Sequence, residues 1–434
     1  MDKVILVWFR KDLRIHDNEM LLEATRRGDL VLPVYCFDPR HYGPSEYPAK
    51  KTGSIRAKFI LESVTDLKKS LQNLGGDLLT VLGKPEEEIP KLVARYGVHE
   101  VYHHREVAFE ETQISERVEE ALWKQQVNLK HFIGHTLYHK EHLPFPIKDI
   151  PDVFTNFRKK VERDSFVRPC FDQPTQIQIP AGLEIQSLPE LADLGYTETV
   201  PADERVVLEF QGGETAGLTR MKTYFWDRDA LRNYKETRNG LLGADYSSKL
   251  SPWLALGCLS PREVYWEVKK YEQERTANES TYWLVFELLW RDYFRFMFKK
   301  HGNKFFQKSG FKGQAPAEAP NQEELFEKWK NGETGVPFID ANMHELNATG
   351  FMSNRGRQNV ASYLVKDLKV NWTWGAAYFE EKLIDYCPAS NWGNWAYVAG
   401  VGNDPREDRY FNIAKQAQTY DPKGEYVKVW ATPA

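Results

Sequence analysis

Polar and aromatic side chains suited to ligand chemistry are concentrated in one stretch near the C-terminal end, residues 348–404. The spacing predicts two helices there, over 354–369 and 373–385, and Cys387-Pro388 is expected to break the second one. The side chains beyond Pro388 are predicted to lie in a glycine-containing loop. The candidate side chains are Asn354, Arg355, Arg357, Asp385, Asn391, Trp392, Asn394, Trp395 and Tyr397. Together they would suit a planar aromatic ligand, and the alternative is a Trp-rich helical core with capping asparagines.

A second stretch, Asn239–Trp253, combines hydroxyl groups with a lysine at a predicted helix start. Ser251-Pro252 indicates an N-cap followed by proline at the first helical position. Hydroxyls, a cation and free backbone amides at that point would suit a pyrophosphate. The candidate residues are Ser247, Ser248, Lys249, Leu250 and Ser251. The alternative is an ordinary serine-rich turn.

A predicted helix over 281–300 places Trp283, Glu287, Trp290 and Arg291 along one face. One interpretation is an amphipathic helix with a Glu287–Arg291 pair worth only ~0.3–0.5 kcal/mol. The other is that Glu287 lies on the buried, Trp-lined side of the helix. Burial would then raise the pKa of Glu287 and keep the carboxyl group protonated as a hydrogen-bond donor.

The N-terminal part of the chain alternates predicted strands with predicted helices, which favours a doubly wound parallel sheet. No GxGxxG follows the first strand, so an ordinary dinucleotide-binding fingerprint is absent. The charged run Arg10–Arg14 is predicted to be a loop that ends in an Asx N-cap at Asp17-Asn18. The predicted strands are 3–9, 30–37, 78–82, 98–103 and 128–133, and the predicted helices are 18–27, 55–74, 86–96 and 109–125.

Helical patterns replace strand patterns from about residue 215 onward, and a proline-rich segment lies between the two regions. We therefore predict an α/β domain over 1–133, a connector over 134–213 and an all-helical domain over 214–434. A connector of that length is expected to lie along the domains. Gly212-Gly213 is the predicted join. Further helices are predicted over 215–238, 261–275, 322–330 and 336–348.

The charge, the cysteine content and the apolar segments of the sequence limit the functions that the protein can have. A formal charge of −4 over 434 residues means that any DNA contact must come from a local basic face. The four cysteines show neither zinc spacing nor a disulfide framework, which favours a reducing compartment and predicts no metal site. The apolar run Val4–Phe9 is too short for a signal peptide or a membrane span. We therefore expect a cytoplasmic protein with no membrane partner, present as a monomer.

The motifs of this sequence resemble those of the photolyase/cryptochrome flavoproteins, and in particular of the DASH-type cryptochromes. The matching segments are VILVWFRKDLRIHDN (4–18), TGFMSNRGRQNVASYLVKDL (349–368), LIDY (383–386) and SNWGNWAYVAGVGNDPRE (390–407), together with Trp372. The resemblance extends over the whole chain. It implies an N-terminal antenna domain and a C-terminal helical domain that binds FAD.

The resemblance also implies roles for individual side chains around the flavin. Arg357 and Asp385 match a pair that frames the flavin, and Asn391 matches the amide that faces flavin N5. Cys387 stands where many relatives have aspartate. The full set of implied FAD-binding residues is Tyr234, Ser247, Ser248, Lys249, Leu250, Ser251, Glu287, Arg291, Asn354, Arg357, Asp385 and Asn391.

The resemblance implies a DNA substrate as well, a cyclobutane pyrimidine dimer in preferably single-stranded DNA. Glu287, Trp290 and Asn354 match residues that hold the dimer. Trp395 and Trp372 match the inner members of an electron-transfer chain, whereas its third tryptophan is not apparent, and Trp329 is a candidate substitute. Tyr397 takes a position where classical photolyases have tryptophan, which predicts weaker stacking on the flipped dimer.

A folate-type antenna, 5,10-methenyltetrahydrofolate, is implied between the domains. Ala108-Phe109 departs from the Asn-Glu of classical bacterial photolyases, so Glu106 or Glu111 is the candidate pterin contact. The alternative is that both are surface carboxylates at a helix N-terminus.

These observations predict light-driven splitting of pyrimidine dimers by electron transfer from reduced FAD. The alternative is a cryptochrome blue-light receptor with little or no repair activity. A long disordered C-terminal tail would favour the receptor, whereas this sequence ends soon after Trp430, so we expect the enzyme.

Overall fold

The computed structural model describes residues 2–197, 203–406 and 409–433. Residues 198–202 of the predicted connector and Glu407 at the end of the last matching motif lie outside the described residues. Strands occupy the N-terminal part of the chain, and helices dominate from Glu214 onward.

The N-terminal half is a five-stranded sheet with the order β3-β2-β1-β4-β5, in which all neighbouring strands are parallel. This confirms the predicted doubly wound sheet, because strand order reverses on either side of β1. The strands are β1 (Val4–Phe9), β2 (Leu30–Phe37), β3 (Leu79–Leu82), β4 (Val98–His104) and β5 (Asn128–Phe132). The helices between them are α1 (Glu19–Arg27), α2 (Ser54–Asn73), α3 (Pro85–Tyr96) and α4 (Phe109–Trp123).

The two faces of this sheet belong to different cores, as the alternation along β1 shows. Ile5, Val7 and Phe9 lie in the large core that continues into the helical half. Leu6 and Trp8 lie in a smaller core that packs against α3 and α4. The sheet is therefore attached to the helical half through one face only.

Helices are the only regular secondary structure of the C-terminal half among the described residues. Two π-helical turns, Thr223–Asp227 and Tyr363–Asp367, extend helices α6 and α13. The helices after the sheet are α5 (Phe154–Asp164), α6 (Glu214–Lys222), α7 (Tyr234–Thr237), α8 (Ser251–Ala255), α9 (Pro261–Glu274), α10 (Glu279–His301), α11 (Gln322–Asn331), α12 (Pro337–Thr349), α13 (Asn354–Ser362), α14 (Trp372–Lys382), α15 (Pro388–Ala399), α16 (Ile413–Tyr420) and α17 (Glu425–Val429).

The structure corrects three local predictions. The segment after Cys387 is helix α15 and not a loop, because Pro388 lies in the first turn, where a missing N–H costs nothing. Helix α14 ends at Lys382, so Asp385 lies in the turn between two helices. The proline-rich connector contains helix α5, whose Phe154 and Phe157 are buried against the helical half.

The charged loop after β1 joins the two halves. Arg14 is fully buried and donates to the carbonyl oxygens of Gly257 at 2.8 Å and Gly134 at 3.0 Å. Asp17 accepts from Arg262 at 2.7 Å, and the side chain of Asn18 accepts from Leu21 N–H, which confirms the predicted Asx N-cap. The loop is therefore a buried junction, where unpaired charges would be costly.

Candidate functional site

The main cavity of the helical half has a volume of about 420 Å³, within the range of small-molecule sites. Helices α10, α13, α14 and α15 line it, together with the turn that carries Asp385. It brings together eight of the predicted site residues from distant parts of the sequence. They are Glu287, Trp290, Arg291, Asn354, Arg357, Asp385, Asn391 and Trp395.

An ion pair forms one wall of this cavity. The Arg357 guanidinium donates to both oxygens of Asp385, at 3.0 and 2.8 Å, and its Nε–H donates to Met352 O at 2.8 Å. Asp385 also accepts from the Ser251 hydroxyl at 2.6 Å. Such a bidentate pair is rigid and directional, so it can hold a planar heterocycle in register.

Helix α15 presents Asn391 to the cavity. The side-chain Nδ2 donates to Ala376 O at 2.9 Å on the neighbouring helix α14, which fixes the amide plane. Asn391 is buried, and its amide oxygen is the part available to a ligand N–H.

The 247–251 segment adjoins the cavity but does not line it. Ser251 is not the N-cap of α8: the cap position is Leu250 with no side-chain bond, and the Ser251 hydroxyl is taken by Asp385. Lys249 has a left-handed backbone, with φ of 52°, and its buried ammonium donates to Gly243 O at 2.9 Å. Burial lowers the pKa of Lys249 to about 8, because no carboxylate pairs with it directly in the described structure.

That lysine is a cation whose charge is poorly compensated by the protein, and an anionic group placed beside it would raise its pKa again. Helix α8 spans only five residues, so the groups here that could bind an anion are the ammonium of Lys249 and the hydroxyls of Ser247 and Ser248. Tyr234, the first residue of α7, is buried, and burial raises the pKa of its phenol.

Glu287 is half-buried in the cavity and pairs with Arg238 at 2.8 Å. A Glu287–Arg291 pair, which was the alternative interpretation, does not form, because Arg291 donates to the backbone oxygens of His135 and, at 3.0 Å, of Leu254. Burial raises the pKa of Glu287 above its ordinary value, although Arg238 opposes this. The direction of this shift is the one that burial predicts.

Trp290 is held in a fixed orientation by two rings, of which the sequence singled out Tyr397 but not Phe154. Phe154 of the connector helix stacks on it with centroids 3.6 Å apart, and Tyr397 meets it edge-on at 6.0 Å. Phe154 was missed because the proline-rich composition of the segment concealed a short helix. Its buried aromatic spacing with Phe157 was the signal that could have revealed it.

Arg409 is a second residue that sequence reasoning missed. Its guanidinium donates to the Tyr397 hydroxyl at 3.0 Å, lies 4.9 Å from the centre of that ring, and pairs with Asp404. The buried Asp404 thus holds Arg409 against the Tyr397 ring at the cavity.

The two predicted electron-transfer tryptophans lie in different ring clusters. Trp395 lines the cavity and contacts Phe379 at 5.1 Å and Trp329 at 6.2 Å between centroids. Trp372 is buried behind α15, contacts Trp392 at 5.9 Å and donates through Nε1–H to Lys308 O at 2.9 Å. Asn354 begins α13 and is exposed to the cavity.

A second cavity of about 250 Å³ lies between the two halves, with polar and aromatic walls. Glu111 lines it and accepts from Lys11 at 2.7 Å. Burial would raise the pKa of Glu111, but Lys11 holds it below the ordinary value. Tyr47, Phe306 and Trp392 supply rings. Glu106 lies deeper and pairs with Arg295 at 2.9 Å, so its pKa falls to about 2 despite burial.

Neither a membrane nor a metal is indicated by the described residues. No helix among them combines the length and apolar character that crossing a bilayer requires. No group of three or more His, Cys, Asp or Glu side chains in residues 2–197, 203–406 and 409–433 is arranged to hold a metal ion.

Two family profiles match the chain. Residues 5–176 match DNA photolyase, and residues 283–433 match the FAD binding domain of DNA photolyase. Among curated proteins, Cryptochrome DASH of Gloeobacter violaceus is 53% identical over 430 residues, covering 99% of this chain and 85% of the relative. Cryptochrome DASH of Xenopus laevis is 50% identical, covering 99% of this chain and 82% of the relative.

Solved structures agree with these relatives. The Synechocystis cryptochrome has a TM-score of 0.95 at 50% identity, covering 99% of this chain and 88% of that one. A class III photolyase from Agrobacterium tumefaciens has a TM-score of 0.85 at 28% identity, with 99% and 86% covered. The match in sequence and in fold runs through both halves of the molecule. The chain therefore belongs to the photolyase/cryptochrome family, as a DASH-type cryptochrome with a helical FAD-binding domain.

Proposed function

We propose that this protein is a FAD-dependent enzyme that uses blue or near-ultraviolet light to split cyclobutane pyrimidine dimers, preferably in single-stranded DNA. One observation carries the proposal: a carboxyl group whose pKa is raised by burial, an amide and an oriented indole share a cavity with the Arg357–Asp385 pair. They are Glu287, Asn354 and Trp290. A receptor without repair activity has no evident use for that donor set.

The residues of the cavity and of the adjoining loop fit FAD. The buried ammonium of Lys249 has no carboxylate partner in the part of the chain that the structure describes, so it suits a diphosphate. The hydroxyls of Ser247, Ser248 and Ser251 lie in the same 247–251 segment. Arg357 and Asp385 can hold the ring system, and the oxygen of Asn391 can accept an N–H without adding a charge. When bound and reduced, FAD supplies after light absorption the electron that opens the dimer, and it receives the electron back.

The chain's own groups would bind and polarise the dimer. Protonated Glu287 donates to a pyrimidine carbonyl, and Asn354 donates to one carbonyl and accepts from one imide N–H. Trp290, fixed by Phe154, presents an indole for apolar contact. These contacts orient the lesion and would stabilise negative charge that develops on its carbonyl oxygens.

Trp395 is the proposed donor that returns the oxidised cofactor to its reduced form, because its indole lies at the cavity wall. Trp372 is the proposed second member of that chain. Trp329 contacts Trp395 directly and is fully buried, and its Nε1–H donates to Val360 O at 3.0 Å.

Single-strand preference follows from an energetic argument. Extruding a dimer from a duplex costs a few kcal/mol, which a single strand avoids. Tyr397 offers a smaller ring than tryptophan, and its hydroxyl is committed to Arg409. With a formal charge of −4, the chain has little general attraction to DNA that could offset the extrusion cost.

The cavity between the halves is the proposed site of a 5,10-methenyltetrahydrofolate antenna. Its rings suit a pterin, and the Glu111 carboxylate suits the N–H donors of the pterin edge. Glu106, committed to Arg295, is the weaker candidate of the two. The domain limits 1–133, 134–213 and 214–434, the monomeric state and the cytoplasmic location remain predictions.

The proposed activity is tested with the purified, chemically reduced protein and a single-stranded oligonucleotide that carries one defined thymine dimer. Light should restore the two thymines, as followed by chromatography, whereas the dark control should not. Glu287→Ala should lower the repair yield without releasing FAD. Absence of light-dependent repair in the flavin-loaded protein would favour the receptor alternative.

A further inference from the structure

Cys387 lies where the flavin cavity meets a buried group of charges. The thiol is 4% exposed, lines the cavity and occupies the N-cap position of α15. Arg295 Nη1 lies 3.7 Å from Cys387 Sγ, and the same guanidinium donates to Glu106 at 2.9 Å. The thiol therefore shares Arg295 with a carboxylate.

The charges that face Cys387 come from every element packed around it. Lys11 follows β1, Arg291 and Arg295 are one turn apart on α10, and Glu106 and Glu111 follow β4. Asp385 precedes the thiol by two residues, but its charge is balanced by Arg357. Arg10, Lys11, Arg291 and Arg295 are four cations, and Glu106, Glu111 and Asp292 are three carboxyl groups.

Such a cluster carries one uncompensated positive charge unless a further group ionises, and uncompensated buried charge is strongly unfavourable. Other polar groups nearby do not supply that anion. His135 is neutral, since burial and then Arg295 hold its pKa well below the ordinary value. Asp292 accepts from Leu137 and Tyr138 N–H and faces Arg291 and Arg295, so it is already counted among the three carboxyl groups.

Two buried atoms of the cluster have no hydrogen-bond partner within the described structure, Arg295 Nε and Glu106 Oε1. Both residues are more than nine-tenths buried. The cluster is thus held together by charge balance more than by a saturated hydrogen-bond network. This makes its net charge the quantity that matters for stability.

We infer that Cys387 is held as a thiolate at neutral pH, and that this thiolate is a further anion of the cluster and sets the electrostatic potential at the wall of the flavin cavity. The helix N-terminus and the Ser390 N–H add to its stabilisation. Burial alone would raise the pKa of Cys387, but Arg295, Arg291 and Lys11 outweigh it and lower the pKa.

The other cysteines provide an internal contrast. Burial raises the pKa of Cys258 to about 12, and it raises the pKa of Cys36 further. Cys170 is exposed, so its thiolate must be distinguished from that of Cys387 by substitution.

The first test is a pH titration of thiolate absorbance in the flavin-containing protein, recorded as the difference between the parent and Cys387→Ser. A thiolate signal should be present at pH 7 in the parent, disappear on acidification and be missing in the variant. Cys170→Ser is the matched control and should keep the signal. A parent without a thiolate signal at pH 7, or a signal that survives Cys387→Ser, would overturn the inference.

The second test uses the flavin midpoint potential and rests on the proposed FAD site. Cys387→Ser removes an anion, so it should stabilise the more negative reduced flavin and raise the potential, whereas Cys387→Asp should stay near the parent. Equal shifts in both variants, or loss of flavin from both, would contradict the electrostatic role. The thiolate titration needs neither light nor DNA, so its result does not depend on whether the protein repairs pyrimidine dimers.

Discussion

The cavity of the helical half and the cavity between the halves hold their charges differently. In the first, Arg357 and Asp385 form a bidentate pair inside one continuous core. In the second, Glu111 of α4 meets Lys11 of the β1–α1 loop through a single bond, and α14 supplies another wall. The first arrangement fixes a ligand's position, whereas the second depends on how two separately built halves are joined.

This difference suggests that the two cavities serve different steps. The rate of electron transfer falls steeply with distance, so the electron-transfer cofactor needs a rigid site, whereas energy transfer from an antenna tolerates a less rigid one. Substitutions in the helical cavity should therefore damage both stability and chemistry. Substitutions in the interdomain cavity should change light capture alone.

The largest effect is expected for Arg357→Ala, which leaves the buried Asp385 carboxylate without its partner. The cost should be on the order of 2–3 kcal/mol, below the ~3–5 kcal/mol of a fully buried pair because Arg357 is 25% exposed. FAD should be lost on dialysis, and the denaturant midpoint should fall. Lys328→Ala, which breaks a surface pair with Glu324, is the control and should cost less than ~1 kcal/mol. Full FAD retention by Arg357→Ala would remove this pair from the site.

Next in size is Trp395→Phe, which keeps most of the packing volume but removes the oxidisable indole. Photoreduction of FAD with an external thiol should become much slower, while chemically reduced protein should still repair dimers. Trp329→Phe tests the neighbouring ring, and Trp266→Phe, exposed on α9, is the control. Undiminished photoreduction in Trp395→Phe would exclude it as the inner donor.

Glu111→Gln should have a smaller effect, confined to the interdomain cavity. It removes the carboxylate that we assign to the pterin edge and leaves Lys11 unpaired, at a cost of ~1–3 kcal/mol in antenna binding. The near-ultraviolet absorbance of the folate should fall while the flavin bands stay. Glu120→Gln, exposed on the same helix and outside the lining of this cavity, is the matched control. Equal loss of flavin and folate would mean that the two cavities are not independent.

The smallest effect is expected for the pH dependence of repair. Because the pKa of Glu287 is raised in the folded protein, its protonated form persists above the ordinary range and is lost as pH rises through the folded value. Repair by reduced protein should therefore decline with rising pH over that window. Glu287→Gln, a donor at every pH, should flatten the profile. A parent profile that rises with pH would contradict the proton-donor role.

Sequence reasoning was most successful where the pattern is local. The β1 run and the alternation that follows predicted the parallel sheet, because an apolar strand period and short connections leave few other folds. It failed at Cys387-Pro388, because proline can either end one helix or begin the next, and only the packing of α15 against α14 decides.

The candidate site shows the same limit. Residue types and the family resemblance predicted eight of the side chains that line the cavity, whereas the 247–251 segment and Trp372 lie outside its lining. They did not predict the partners, because partners such as Arg238 and Phe154 come from distant segments. The Glu287–Arg291 pair of the alternative interpretation had the right spacing on α10 and was displaced by tertiary contacts. The buried cluster around Cys387 could not be predicted either, since its members come from three separate elements.

The most direct test of the central claim compares one defined thymine dimer in an oligonucleotide, alone and annealed to its complement, with the same reduced protein under identical light. We predict efficient repair in the single strand, weak or no repair in the perfect duplex, and intermediate repair when the dimer lies in a loop. Binding of each substrate should weaken with salt as phosphate contacts are screened. Equal repair of both forms would remove the single-strand preference, and repair of neither would contradict the enzymatic role itself.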